Sequence, residues 1–152
     1  MRLPLLCTIL LAACAGGEKA PAPDDSTTPV APAPPPALTA AQVTGAWNGT
    51  SKLAGTDSVV STWTATATSD STGTFAVPGE KVVNYTAVFS GDSMVATSEA
   101  HSTKMSGKAK VMWVSVGRLD AAGALVGTGT TMLAEKHDSV LGRVTWTATK
   151  QP

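Results

Sequence analysis

With 152 residues, 11 basic and 11 acidic side chains and a net charge of zero, the chain has room for one domain of ordinary size. It lacks the basic excess that draws proteins onto nucleic acid, and it has no acidic tail. Charged residues make up only 14% of it, against roughly 25% in average globular proteins. Thr, Ser and Gly supply the polarity instead, which suits strands and turns better than helices.

The chain opens with Arg2 and an apolar run from Leu3 to Leu11. About ten apolar residues fall short of the roughly 20 that cross a bilayer as a helix. Two small residues and a cysteine follow, and Leu11-Ala12-Ala13-Cys14 resembles the lipobox of a bacterial lipoprotein signal. The resemblance covers the first fourteen residues. It implies that residues 1–13 are removed and that Cys14 becomes an acylated N-terminus, since such proteins carry a diacylglyceryl group, often with a third chain on the amine. Two or more chains give a lasting membrane anchor. An ordinary secretory signal with an incidental Cys14 is the alternative. Ala15 stands where enteric bacteria place Asp to retain such proteins at the inner membrane, so the resemblance leans toward the outer membrane, on its periplasmic or surface side. Cys7 would be lost with the signal, leaving no partner for a disulfide.

Residues 14–38 read as the lipidated cysteine and its tether. Seven prolines fall between Pro21 and Pro36, among Ala, Ser, Thr and Asp. Such a stretch has little apolar surface to bury and favours disorder or extended polyproline II. At about 3.1 Å per residue it would reach roughly 70 Å.

Residues 39–152 read as an all-β domain. Within them only Pro78 and Pro152 are proline, and every Trp, Phe and Tyr falls there. Thr39-Ala40-Ala41-Gln42 suits one helical turn capped by Thr39. Beyond it the dominant period is two. Ser61, Trp63, Ala65 and Ala67 alternate with Thr62, Thr64, Thr66 and Thr68, and Val144, Trp146 and Ala148 alternate with Thr145, Thr147 and Thr149. Turn signals such as Ala54-Gly55-Thr56, Ser69-Asp70-Ser71, Pro78-Gly79, Gly91-Asp92, Asp120 to Gly123 and Lys136-His137-Asp138 punctuate the runs. They leave eight strands, near 45–53, 57–68, 72–77, 81–90, 93–99, 108–118, 124–134 and 139–149. Short loops predict antiparallel neighbours. A meander of eight amphipathic strands protects its edges by closing into an up-and-down barrel. An immunoglobulin-like β-sandwich is the alternative.

Gly45-Ala46-Trp47 opens the first strand and Arg143 sits in the last. In this respect the domain resembles lipocalins, where a Gly-x-Trp is crossed by an arginine that closes the barrel's base. The resemblance implies a barrel with Gly45, Trp47 and Arg143 at its closed end. The lipocalins' second motif and C-terminal helix are missing, and no ligand follows from it.

Chemistry-bearing residues are few. His101 and His137 lie near Glu99 and Asp138, but a metal site wants three or four converging ligands, so exposed loop residues are the expectation. Asp57, Asp70, Asp92 and Asp120 fall in or beside turns, where Asp bonds to local backbone. No nucleophile elbow, phosphate loop or Cys–His pair appears, and no cofactor is implied. Trp47, Trp63, Trp113 and Trp146, with Tyr85 and Phe89, either plug the core, which is the expectation, or line a pocket for a sugar or small apolar ligand. Trp113 is ambiguous, because Met112 and Val114 on the opposite face are also apolar. Lys104, Lys108 and Lys110 either guard a loop or touch anionic headgroups or cell-wall polymer. The sum is a non-enzymatic, lipid-anchored envelope protein binding a ligand or an envelope protein. A structural or interaction component with a filled core is the alternative, and a hydrolase the least supported reading.

Overall fold

Strand-period alternation appears in the computed structural model as eight antiparallel strands that close on themselves. They are β1 (Gly45–Leu53), β2 (Val59–Ala67), β3 (Thr72–Ala76), β4 (Val83–Ser90), β5 (Ser93–Ser98), β6 (Val111–Leu119), β7 (Leu125–Leu133) and β8 (Lys136–Lys150). Each pairs with its neighbour in sequence, and β8 returns to β1 from Trp47 opposite Lys150 to Leu53 opposite Val144. The fold is therefore a closed up-and-down barrel, not a sandwich. Closure satisfies the backbone groups that an open sheet would leave exposed at its edges. The structure describes residues 36–68 and 71–152. The signal, Cys14, the tether through residue 35 and the turn residues Ser69 and Asp70 lie outside the described residues.

The last hairpin departs from the sequence reading. Lys136, His137 and Asp138 belong to β8 rather than to a turn, and the reversal falls on Ala134 and Glu135. Register shifts at Met132 and Leu133 accommodate that two-residue reversal.

One end of the barrel is closed by the segment that enters it. Helix α1 (Ala40–Val43) follows Thr39, whose amide N–H donates to Gln42 Oε1 at 2.7 Å, half of a capping box. Leu38, placed in the tether by composition, is buried, and its N–H donates to Gly91 O at 2.8 Å. Val43 is buried beside it, and Trp47 Nε1 donates to the Val43 carbonyl at 2.8 Å. Leu38, Val43, Trp47, Leu125, Trp146 and Ala148 form one buried cluster, with Phe89, Met94 and Leu119 packed against it. The connections 54–58, 77–82, 99–110 and 134–135 lie at the opposite end.

Candidate functional site

Whether the barrel holds a ligand inside is decided by what its inward positions carry. All seven aromatic residues stand on the inward face of their strands, Trp113 included; Met112, Val114 and Val116 take the outer face of β6. Their rings meet both between neighbouring strands and between strands that are not paired. Phe75 of β3 and Trp113 of β6 are not strand neighbours, yet their ring centroids lie 5.3 Å apart. Trp63 of β2 and Trp146 of β8 meet edge to face at 6.0 Å, and Trp63 and Phe75 at 5.2 Å. Tyr85 is 5.9 Å from Trp113. These contacts fill part of the lumen with the protein's own rings.

Glycines supply the complementary hollows. A Cβ on Gly49 would fall on the Trp63 ring, one on Gly73 on the Tyr85 ring, and one on Gly117 would sit 2.6 Å from the Trp146 ring. Large and small residues thus interlock across facing positions, as in small filled barrels. The buried hydroxyls are used within the wall: Ser51 Oγ accepts from Trp63 Nε1 at 2.9 Å, and Ser98 Oγ from the Trp113 amide at 3.0 Å. The Nε1 groups of Trp113 and Trp146 have no partner among the described residues. Such orphan donors typically cost about 1–3 kcal/mol each. A void of about 20 Å³ beside Trp47, Tyr85, Phe89 and Met94 has room for one water. Of these aromatics Trp47 and Trp146 are buried, and Trp63, Tyr85, Phe89 and Trp113 are half-buried.

The closed end needs one correction. Arg143 does not cross Trp47; it lies on the exposed outer face of β8, opposite Thr130. The cation over the Trp47 ring is Lys150, its Nζ 5.7 Å from the ring centroid. Lys150 shares the inward parity of Trp146 and Ala148, whereas Arg143 shares that of the outward threonines. Gly45, at φ 121°, lies against the Lys150 stem.

Burial raises the Tyr85 hydroxyl above its ordinary pKa of 10.0. A folded-state pKa above the unfolded value means that stability is full below pH about 10 and falls as pH rises through the folded pKa. As the chain has a single tyrosine, its ultraviolet titration should have a midpoint above 10 when folded and near 10 in denaturant. The Tyr85→Phe variant should lose that part of the alkaline destabilisation.

A broader concavity lies on the outer wall. About 600 Å³ in volume, it lies over β2 to β5, within the about 300–1,000 Å³ typical of ligand sites. One row of its wall runs across strands from Thr66 to Thr74, Asn84 and Glu99, and a second from Thr72 to Thr86 and Thr97. Neighbours in a row stand about 4.8 Å apart and the rows roughly 6.7 Å apart, by strand geometry. Asn84 Nδ2 donates to both Glu99 oxygens at 3.2 Å, and its backbone N–H also donates to Oε1. The carboxylate is thereby held at one end of a hydroxyl-lined floor. Sequence shows each strand's hydroxyl face but not which strands curve to make a hollow, so the site was missed there.

The remaining candidates stay apart. His101 Nδ1 lies 2.9 Å from the Glu99 carbonyl, and His137 Nε2 3.0 Å from that of Ala134. Asp120 Oδ1 accepts from the Ala122 and Ala124 amides at 2.9 Å, the turn role expected of it. Asp57 pairs with Lys52 at 3.0 Å. Among the described residues no three His, Cys, Asp or Glu side chains come together as metal ligands. A row of valines, Val88, Val95 and Val116, lies exposed across β4 to β6. No helix among the described residues is long and apolar enough to cross a membrane. Comparison with protein-family models, curated proteins and solved structures returned no match.

Proposed function

We propose that this is a lipid-anchored protein of the bacterial envelope, non-enzymatic, that binds carbohydrate on the outer wall of its barrel. The observation carrying this reading is the exchange of inside for outside: rings occupy the lumen, while the large hollow described above is open and lined by threonine methyls and hydroxyls together with Asn84 and Glu99. Threonine hydroxyls both donate and accept, which suits a polyhydroxy ligand, and their methyl groups offer apolar contact to the C–H faces of a sugar ring. Asn84 and Glu99 add an amide and a fixed carboxylate acceptor. A fatty or aromatic ligand would leave those groups unpaired on binding. The lipobox resemblance, with Cys14 as the lipidated residue, supports the envelope location, where cell-wall polymers are the nearest glycans.

Thr86 lies mid-groove and is exposed, so Thr86→Arg should fill the hollow without touching the core. Calorimetric titration with soluble cell-wall oligosaccharides should show binding to the parent protein and at least a tenfold loss in the variant, about 1.4 kcal/mol. Equal affinity in the two would refute the groove as the site.

A further inference from the structure

The connection between β5 and β6 carries an apolar side chain where the fold has no use for one. Met105 is 98% exposed, at the tip of a turn that is tied together rather than loose. Thr103 N–H donates to Ser106 Oγ at 2.9 Å, Ser106 N–H to Thr103 Oγ1 at 3.0 Å, and Ser106 Oγ to the Ala109 carbonyl at 3.0 Å. Gly107, at φ 59°, completes the reversal, with its N–H on the Thr103 carbonyl at 3.1 Å. The neighbouring connection, 77–82, is bound to this one: the Lys104 N–H donates to the Glu80 carboxylate at 3.0 and 3.2 Å. That connection adds Val82, 61% exposed, and the exposed Lys81. Lys104, Lys108 and Lys110 flank the methionine in the chain, and all three are exposed. The acidic groups of these two connections are Glu80, engaged with the turn, and Glu99, bonded to Asn84 at the adjacent groove; the other two connections at this end add Asp57, paired with Lys52, and the exposed Glu135.

We infer that this end of the barrel docks on an anionic lipid surface. The layering fits one: Met105 and Val82 reach the acyl boundary while the lysine ammonium groups stay among phosphate headgroups. Each lysine near such a surface adds to the attraction, and salt weakens it. The turn's hydrogen bonds hold Met105 out before contact, so little ordering remains to be done on docking. The inference rests on the envelope reading only for a membrane being within reach, and the test dispenses with the anchor.

The chain from Ala15 onward, lacking the acylated cysteine, is sedimented with vesicles of phosphatidylcholine alone and with vesicles containing phosphatidylglycerol. Binding should appear with the anionic vesicles and fall as salt is raised. Met105→Asp should lower partitioning on the order of tenfold, from the loss of one buried apolar side chain. Replacing Lys104, Lys108 and Lys110 together with Gln should lower it on the order of a hundredfold. All four positions are exposed, so an unchanged thermal midpoint shows that the barrel is intact. Equal binding to neutral and anionic vesicles, no binding to either, or full binding by Met105→Asp would each overturn the inference. Acyl labelling of the full chain is measured separately, so failure here is distinct from failure of the anchor.

Discussion

Replacing Gly49 with alanine should destabilise the barrel by about 1–3 kcal/mol, and the penalty should vanish once Trp63 is made leucine. The added Cβ would fall on the indole, which is not free to move. Its Nε1 is bonded to Ser51 Oγ, and its ring is wedged between Phe75 and Trp146. With leucine at 63 the hollow is vacated, and alanine suits a strand better than glycine by about 0.5–1 kcal/mol. The two changes are therefore coupled by about 1–3 kcal/mol, the range found for residues in contact. Trp63→Ala alone should cost about 3–5 kcal/mol. Urea denaturation of the four proteins of the cycle measures the coupling. Additive effects would mean that the indole does not fill the hollow over Gly49. Gly127 is a harsher case, because its Cβ would meet the Val116 backbone carbonyl, and no substitution of a neighbouring side chain should rescue Gly127→Ala.

The second large effect concerns location. Cys14→Ser should abolish incorporation of labelled fatty acid and move the protein from the membrane fraction to the soluble one. The thioether to a diacylglyceryl group requires the cysteine sulfur, and a serine hydroxyl does not replace it. Two acyl chains hold a protein on a bilayer lastingly, whereas the contact inferred for Met105 and its lysines is weak and salt-sensitive. Residual membrane association should therefore disappear in high salt for Cys14→Ser and persist for the parent chain. Continued acyl labelling of the variant would remove the anchor from the account.

The barrel was legible because its two faces have different chemistry. Alternation of Trp, Ala and Gly with Thr marks inside and outside along β1, β2 and β8, and turns such as Gly91-Asp92 and Asp120 to Gly123 punctuate it. Parity alone separates Arg143 from Lys150: one stands with the threonines, the other with Trp146. The lipocalin resemblance drew attention to the arginine, and the alternation argued against it. The last hairpin was misread because Lys136-His137-Asp138 is polar enough to suggest a turn. The true reversal, Ala134-Glu135, carries no Gly, Asn or Pro to announce it. The match of each glycine to a ring was hidden, since it depends on register between strands and not on any one strand. The outer groove depends on how four strands curve together, which no linear pattern records.

The proposed function turns on one exchange, the protein's own rings inside the lumen and a ligand received on the wall outside. The four tryptophan indole N–H signals in a nitrogen–proton correlation spectrum report the lumen, and the amides of Thr66, Thr74, Asn84, Thr86 and Thr97 report the groove. Adding cell-wall oligosaccharide should shift the groove amides progressively while all four indole signals stay in place, and a fatty acid should move neither set. Indole signals of Trp113 and Trp146 that shift with the fatty acid, beside unmoved groove amides, would place the ligand inside and contradict it.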